Sequence, residues 1–470
     1  MNKKFLRLGF ILFIILITSC EDESYTMSPS AVLDFSADEI SLDTIFCNTS
    51  SSMRTFWIYN HTNDGISCSS IQLERGNQSG FRVNINGEYL GDDVGYKVND
   101  VELNKNDSIQ GFVEITPKPQ NVSSPQLIED KLDFFLANGV TQTITLKAFC
   151  WNANIIDSLI VKSDTTISST SPILVKGGIR ILPGATLTIL PGTTIFFNSN
   201  AGIEVYGTLN SLGKAENPIT LRGSRLDRMF SYLPYDRLSG QWKGIIIKKE
   251  SYENNIEYTD IHGTNNGIVA DSSNIDMTTI YLRESTIHNC KGVGLSLNYV
   301  KAIVENCQIS NTLNSCVTIK GGDVSFNNCT IAQFYPFDNN RGQAFCFVSP
   351  LDKLLCQNTI ITGYSEDELN GIVNKECNIK FENCIIRTPK ISTADSVFFE
   401  NIIYENIEDT IRYGKKHFHT IDTNNYIYNF SLDSISVARD NASPITALPI
   451  DRLGTFRDKR PDIGAFEYKK

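Results

Sequence analysis

The chain has 470 residues, 41% apolar and 20% charged, which is enough for two or three folded domains. Its net charge is −11 and it has no run of Lys or Arg, which excludes nonspecific binding to a polyanion, so no nucleic-acid partner is expected. Past the N-terminus no apolar stretch approaches the ~18 residues a membrane-spanning helix needs.

Residues 1–20 read as a targeting segment. Lys3, Lys4 and Arg7 precede a short apolar core from Leu8 to Ile17. The following Ile17-Thr18-Ser19-Cys20 resembles a bacterial lipobox. That resemblance implies cleavage before Cys20, a lipid on its thiol, and a membrane held through that lipid. Glu21-Asp22-Glu23 resembles the surface-export signal of Bacteroidota-type lipoproteins, which implies the outer membrane and the cell surface. Residues 21–32 then serve as a tether.

From 33 to 152 the pattern is short alternating strands, among them Thr55–Tyr59, Phe81–Ile85, Gly111–Ile115 and Thr141–Ala148, with turn residues between them. Leu33-Asp34-Phe35-Ser36, Leu42-Asp43-Thr44-Ile45-Phe46, Asn106-Asp107-Ser108 and Asn138-Gly139 resemble the N-terminal Ig-like domain of such lipoproteins, which implies a β-sandwich acting as a spacer or interaction module.

Residues 153–440 read as a parallel β-helix. Two Pro-Gly corners, Pro183-Gly184 and Pro191-Gly192, open it. Together with Ile203-Glu204-Val205-Tyr206-Gly207-Thr208-Leu209, they resemble the first coils of right-handed β-helix proteins of the pectate-lyase-like superfamily. A hexamer then recurs at 256–261, 282–287, 304–309, 326–331, 355–360 and 381–386. Its pattern is an apolar residue, two polar residues, a small polar residue or Cys, any residue, then Ile. The closing isoleucines are spaced 26, 22, 22, 29 and 26 apart, a solenoid period. The fourth and sixth positions share one side of a strand, and the two polar residues before them form a corner. Asn306, Asn328 and Asn383 sit at that corner because Asn tolerates the left-handed conformation. The inner ladder is then Thr259, Ser285, Cys307, Cys329, Asn358 and Cys384. Most of the twelve cysteines therefore read as core, and the absence of a Cys-x-x-Cys pair argues against a zinc site.

Between the first coils and the hexamers, residues 224–241 form the longest loop, followed by Trp242. Tyr232, Tyr235 and Trp242 are its candidate ligand-binding rings, suited to stacking on a sugar. One residue beyond each closing isoleucine the chain faces outward. This puts His262 and His288 on adjacent coils, with Asp260 on the same face and Glu284 at a corner. These four are the catalytic candidates, able in principle to move protons or bind a metal. The two His near the C-terminus, His417 and His419, read as a solvated strand end beside Lys415 and Lys416.

Residues 441–470 carry Ser443-Pro444-Ile445, then Asp462-Ile463-Gly464-Ala465-Phe466-Glu467, similar to the closing segment of the choice-of-anchor Q type. The resemblance implies a cap in which Asp462 pairs with Arg457 or Arg460.

The function these features imply is a lipid-anchored envelope protein that is not an enzyme and binds glycan or another envelope component, without metal or cofactor. The superfamily also includes lyases, which hold calcium on acidic ligands, and hydrolases with paired carboxylates. Only Asn274-Ile275-Asp276 matches the hydrolase motifs. A structural or adhesive rod is the third reading.

Overall fold

The computed structural model describes residues 24–120, 124–372, 377–409 and 411–469, so Cys20 and the targeting segment lie outside the described residues. The chain divides into two compact units, one ending at Asn152 and one beginning at Ala153. No helix among the described residues is long and apolar enough to cross a membrane.

The first unit is a β-sandwich, with two five-stranded sheets among the described residues. The pairings are antiparallel except that Thr141–Trp151 runs parallel to Glu39–Phe46. Alternation dictates the core: Gln126–Leu136 places Ile128, Asp130, Leu132, Phe134 and Leu136 inward and Glu129, Lys131, Asp133 and Phe135 on the other face. A disulfide joins Cys47 and Cys150, whose Cα atoms are 5.5 Å apart. Nothing in the local pattern marks this pairing, since the two cysteines lie 103 residues apart, Cys47 in the turn after Glu39–Phe46 and Cys150 within Thr141–Trp151.

The second unit is a right-handed parallel β-helix, and among the described residues its three sheets have eleven, nine and ten strands. Sheet I runs from Asn154–Ile156 to Ile403–Tyr404, sheet II from Leu159–Val161 to Leu369–Ile372, and sheet III from Thr165–Ile167 to Phe399–Glu400. Every strand pairs in parallel with its counterpart on the next coil, so one apolar column fills the interior.

The hexamers are the corners between sheets III and I. Tyr258, Glu284, Asn306, Asn328, Asn358 and Asn383 all take positive φ, between 43° and 51°. Asn358 corrects the expected register by one residue. Cys356 pairs with Phe381, and Ile361 pairs with Ile331 and Ile386. The fifth hexamer is therefore 356–361: Asn358 turns the corner, Thr359 occupies the inner ladder, and Thr362, not Ile361, faces outward opposite Ala332. Asn358 takes the left-handed corner more readily than Gln357 would, and that preference outweighs the apolar match at Leu355. Cys307, Cys329 and Cys384 are buried thiols of this ladder, each directed at a backbone carbonyl of the preceding coil.

The β-helix ends near Tyr404 rather than 440. A second apolar layer follows, beginning at the hairpin Phe418–Asp422 with Ile427–Leu432 and ending at Phe466. It packs on the outer face of sheet I over Ala332, Phe334, Ile360 and Ile385. Its docking sites are the corner asparagines themselves. Asn306 donates to Ile450 O (3.0 Å) and accepts from Arg457 (3.0 Å). Asn328 accepts from Leu448 N (2.9 Å), and Asn358 accepts from Ser443 N (2.9 Å).

The expected pairing of Asp462 with Arg457 or Arg460 is not made. Arg457 pairs with Glu467 at 3.2 Å, and Arg460 lies 3.5 Å from Asp440. The Asp462 carboxylate instead accepts from the backbone N–H groups of Asp440 and Tyr468. His417 is also not solvated. It is fully buried, between Glu405 Oε1 (3.0 Å) and Ser436 Oγ (3.2 Å).

Candidate functional site

Strands Thr259–His262 and Thr286–Cys290 are neighbours in sheet I, with Asp260 opposite Thr286, Ile261 opposite Ile287, and His262 opposite His288. The isoleucines fill the interior, so Asp260, His262 and His288 project from the outer face. The two imidazoles stack with centroids 4.7 Å apart and planes 25° apart. Asp260 Oδ1 lies 2.9 Å from His262 Nδ1 and 3.2 Å from His288 Nε2.

The loop 224–241 completes this cluster with a residue the sequence did not single out. Asp236 Oδ1 lies 2.9 Å from His262 Nε2 and 2.7 Å from Arg222 Nη2. Both ring nitrogens of His262 therefore face carboxylate oxygens, which makes both of them donors and the ring an imidazolium. Burial pulls the His262 pKa down, but Asp260 and Asp236 overcome it and lift it to about 9. Burial would raise Asp236, yet His262 and Arg222 hold it at about 2. The same opposition, with both imidazoles as partners, keeps Asp260 well below its ordinary value. His262 is therefore a locked cation rather than a base.

Glu284 does not join the group. At its corner it accepts from Asn306 Nδ2 at 3.2 Å, and burial raises its pKa. Three of the four catalytic candidates are thus brought together. Asn274 Oδ1 accepts from Asp276 N within an exposed turn, so the one hydrolase-like motif caps its own backbone.

The aromatic candidates separate too. Trp242 is completely buried: it stacks on Phe197 at 4.3 Å and donates to His262 O at 2.8 Å. It offers no ring to a ligand, because the chain after the loop turns into the core. Tyr235 lies under the Arg225 guanidinium at 3.7 Å. Tyr232 is 54% exposed and stacks on the exposed Phe230 at 5.7 Å, which leaves an open aromatic pair at the loop tip.

Beside the cluster lies a cleft of about 340 Å³. Sheet I supplies Asp260, Thr286, His288, Gln308 and Ser310, the loop supplies Asp236 and Arg237, and the C-terminal layer supplies Tyr426, Tyr428, Phe430 and Arg452. Arg237 Nη1 donates to Asn425 O at 2.5 Å and ties loop to hairpin. Four residues of the lining carry a buried polar atom without a hydrogen-bond partner among the described residues: Thr286 Oγ1, Asn311 Oδ1, Tyr428 OH and Arg452 Nε.

Asp260, His262 and His288 are also the one group among the described residues with three metal-ligating atoms close together, within 4.8 Å. Their geometry does not fit an ion as it stands. Imidazole binds a metal in its own plane, and two near-parallel stacked rings share no nearby in-plane point. Of the cleft residues, Gln308 and Ser310 follow from the outward row. Asp236, Tyr428 and Arg452 come from a loop and a cap with no repeat to index them.

Several known proteins are similar to parts of this chain. A stretch of 108 residues is 35% identical to the protein bark beetle of Drosophila melanogaster, covering 22% of this chain and 3% of that protein. The ASH/PapD-like domain of human CEP192 is 12% identical over 29% of this chain and 96% of its own, with a TM-score of 0.18. A family 123 glycoside hydrolase from Clostridium perfringens is 6% identical over 28% of this chain and 30% of its own, with a TM-score of 0.19. Neither likeness bears on function. Residues 149–331 match the family model described as right handed beta helix region, the segment that carries Asp260, His262 and His288.

Proposed function

We propose that this protein is a lipid-anchored envelope protein that binds a saccharide in the cleft on the outer face of sheet I. The observation that carries the reading is the composition of that cleft. Amides, hydroxyls, guanidinium groups and two tyrosine rings converge on one polar concavity, and four of its residues have unsatisfied polar atoms. Apolar ring faces beside convergent donors and acceptors suit a polyhydroxylated ligand. The Phe230–Tyr232 pair on the bordering loop offers a further stacking surface. The lipid anchor is supported by the Ile17-Thr18-Ser19-Cys20 motif and the basic and apolar segment before it.

The reading is non-catalytic because His262 is held between two carboxylates that are themselves spent on cations. A lyase or hydrolase is the second reading, favoured by one observation: His288 is a quarter exposed and lines the cleft with Asp260.

The test is a panel of neutral and acidic polysaccharides, with binding read by retarded mobility and products read as reducing ends and unsaturated-uronate absorbance. Binding without products, weakened by Tyr426→Ala and Tyr428→Ala, is expected. Products that vanish in His288→Ala would establish the enzyme instead. No binding to any member would overturn the saccharide reading.

A further inference from the structure

The charges around the cleft do not balance. Asp236 and Asp260 are matched by Arg222 and the His262 imidazolium, two anions against two cations. Arg237 and Arg452 also line the cleft, and among the described residues neither has a carboxylate within ion-pair distance. Arg237 spends one N–H on the Asn425 carbonyl. Arg452 is half-buried, its buried Nε has no hydrogen-bond partner among the described residues, and its side chain otherwise meets the Phe466 ring at 5.8 Å. The nearby Asp451 carboxylate is taken by the backbone N–H groups of Leu453, Thr455 and Glu467. A guanidinium is always charged and carries five donors, so one without a carboxylate beside it is open to an anionic partner. Tyr428, with its own unpartnered hydroxyl, stands in the same lining.

We infer that the cleft contains an oxyanion subsite, in which Arg452, assisted by Arg237 and the Tyr428 hydroxyl, holds a carboxylate, sulfate or phosphate substituent of the ligand. The inference rests on the reading of the cleft as a saccharide site and adds that the saccharide is charged. A guanidinium fork matches the paired oxygens of such groups, and charge-assisted hydrogen bonds are about twice as strong as neutral ones. The carboxylates of the cluster oppose this little, because Arg222 and the His262 imidazolium together neutralise the pair.

The test uses the purified chain at constant ionic strength, titrated calorimetrically with sodium acetate, sulfate and phosphate against chloride. The same titrations follow with a neutral oligosaccharide and its carboxylated, sulfated and phosphorylated counterparts. One anion class is expected to bind at one site per chain, and Arg452→Gln to weaken it about tenfold or more, the value of one charge-assisted hydrogen bond. Tyr428→Phe and Arg237→Gln are expected to weaken it less. Should Arg452→Gln fail to fold by circular dichroism, Arg452→Lys and Arg237→Gln carry the test. Equal binding of every anion by wild type and variants would overturn the subsite. Tight binding of the neutral sugar, with no gain from charge and no loss in Arg452→Gln, would also overturn it while leaving the saccharide reading standing. Anion binding that depends on Arg452, with no saccharide bound, would sustain the subsite and sink the saccharide reading.

Discussion

His262 and His288 stack at 4.7 Å because each follows the closing isoleucine of its hexamer, and those isoleucines pair directly across neighbouring coils. The two rings nevertheless have different surroundings. The side chain of His262 is 8% exposed and hydrogen-bonded at both nitrogens, whereas that of His288 is 25% exposed and faces the cleft. Replacing His262 by Ala removes the cation shared by Asp236 and Asp260, so we expect a loss of about 3 kcal/mol in urea unfolding of the β-helix. Replacing His288 by Ala removes a partly exposed partner and is expected to cost about 1 kcal/mol or less. Equal costs at the two positions would show that the cluster is not organised around His262.

The corner asparagines differ in what else they hold. Asn328 has φ of 50°, is fully buried, and carries the cap through Leu448 N and Asp462 O. Asn401 has φ of 52° but is exposed. Ala at Asn401 incurs mainly the left-handed penalty, about 1 kcal/mol, since its one side-chain bond is a long, exposed donation to Asn383 Oδ1. At Asn328 the same change also strands the cap's backbone groups, for a total of about 3 kcal/mol. Chemical denaturation of both variants checks the difference, and Asn401→Gly is expected to be close to neutral.

Acid is expected to loosen the C-terminal layer. Burial would raise the Glu405 pKa, but His417 and Arg387 overcome it and hold it below the ordinary 4.5. A depressed carboxylate contributes stability that is fully present above its unfolded value and is lost as pH falls through the lower folded one. Protease susceptibility of residues 405–469 should therefore rise as pH drops below about 4.5. Glu405→Gln leaves Arg387 without its carboxylate. It should lower stability at neutral pH by about 3 kcal/mol and flatten the acid dependence.

The cysteines should divide by unit. Cys307, Cys329 and Cys384 are completely buried, and burial raises the pKa of Cys307 and Cys329, the latter to about 12. Native protein treated with an alkylating reagent is expected to leave all three unmodified, and unfolding should expose them to it, as read by peptide mass. Reduction acts elsewhere. Cutting Cys47–Cys150 releases a loop of 103 residues and should cost the sandwich about 4–5 kcal/mol, with the β-helix transition unmoved.

Much of this was legible in the sequence because the solenoid repeats its physics. Each coil needs a left-handed corner, an inward small residue and an inward isoleucine, so Asn306, Cys307 and Ile309 index one coil and predict the next. The error at 355–360 arose where Leu355-Cys356 offered two apolar residues and the corner, not the apolar residue, set the register. The His262–His288 pair followed from that index. Trp242 was misread because an aromatic after a polar loop carries no mark of which way it points. Asp236 and Arg452 had no local pattern at all, since one lies on a loop and the other on a cap that folds back across coils well over a hundred residues earlier in the chain.

That fold-back sets an order of assembly. A β-helix adds coils one upon another, so Asp260 and His288 can be in place as soon as their own coils have formed. Tyr428 and Arg452 emerge from the ribosome well over a hundred residues later, at roughly 5–20 residues per second. Until then the corner asparagines Asn306, Asn328 and Asn358 have nothing to dock, and the cleft is half a cleft. The cleft is therefore the last thing the molecule makes, and a chain cut short before Arg452 keeps its β-helix but not its complete cleft.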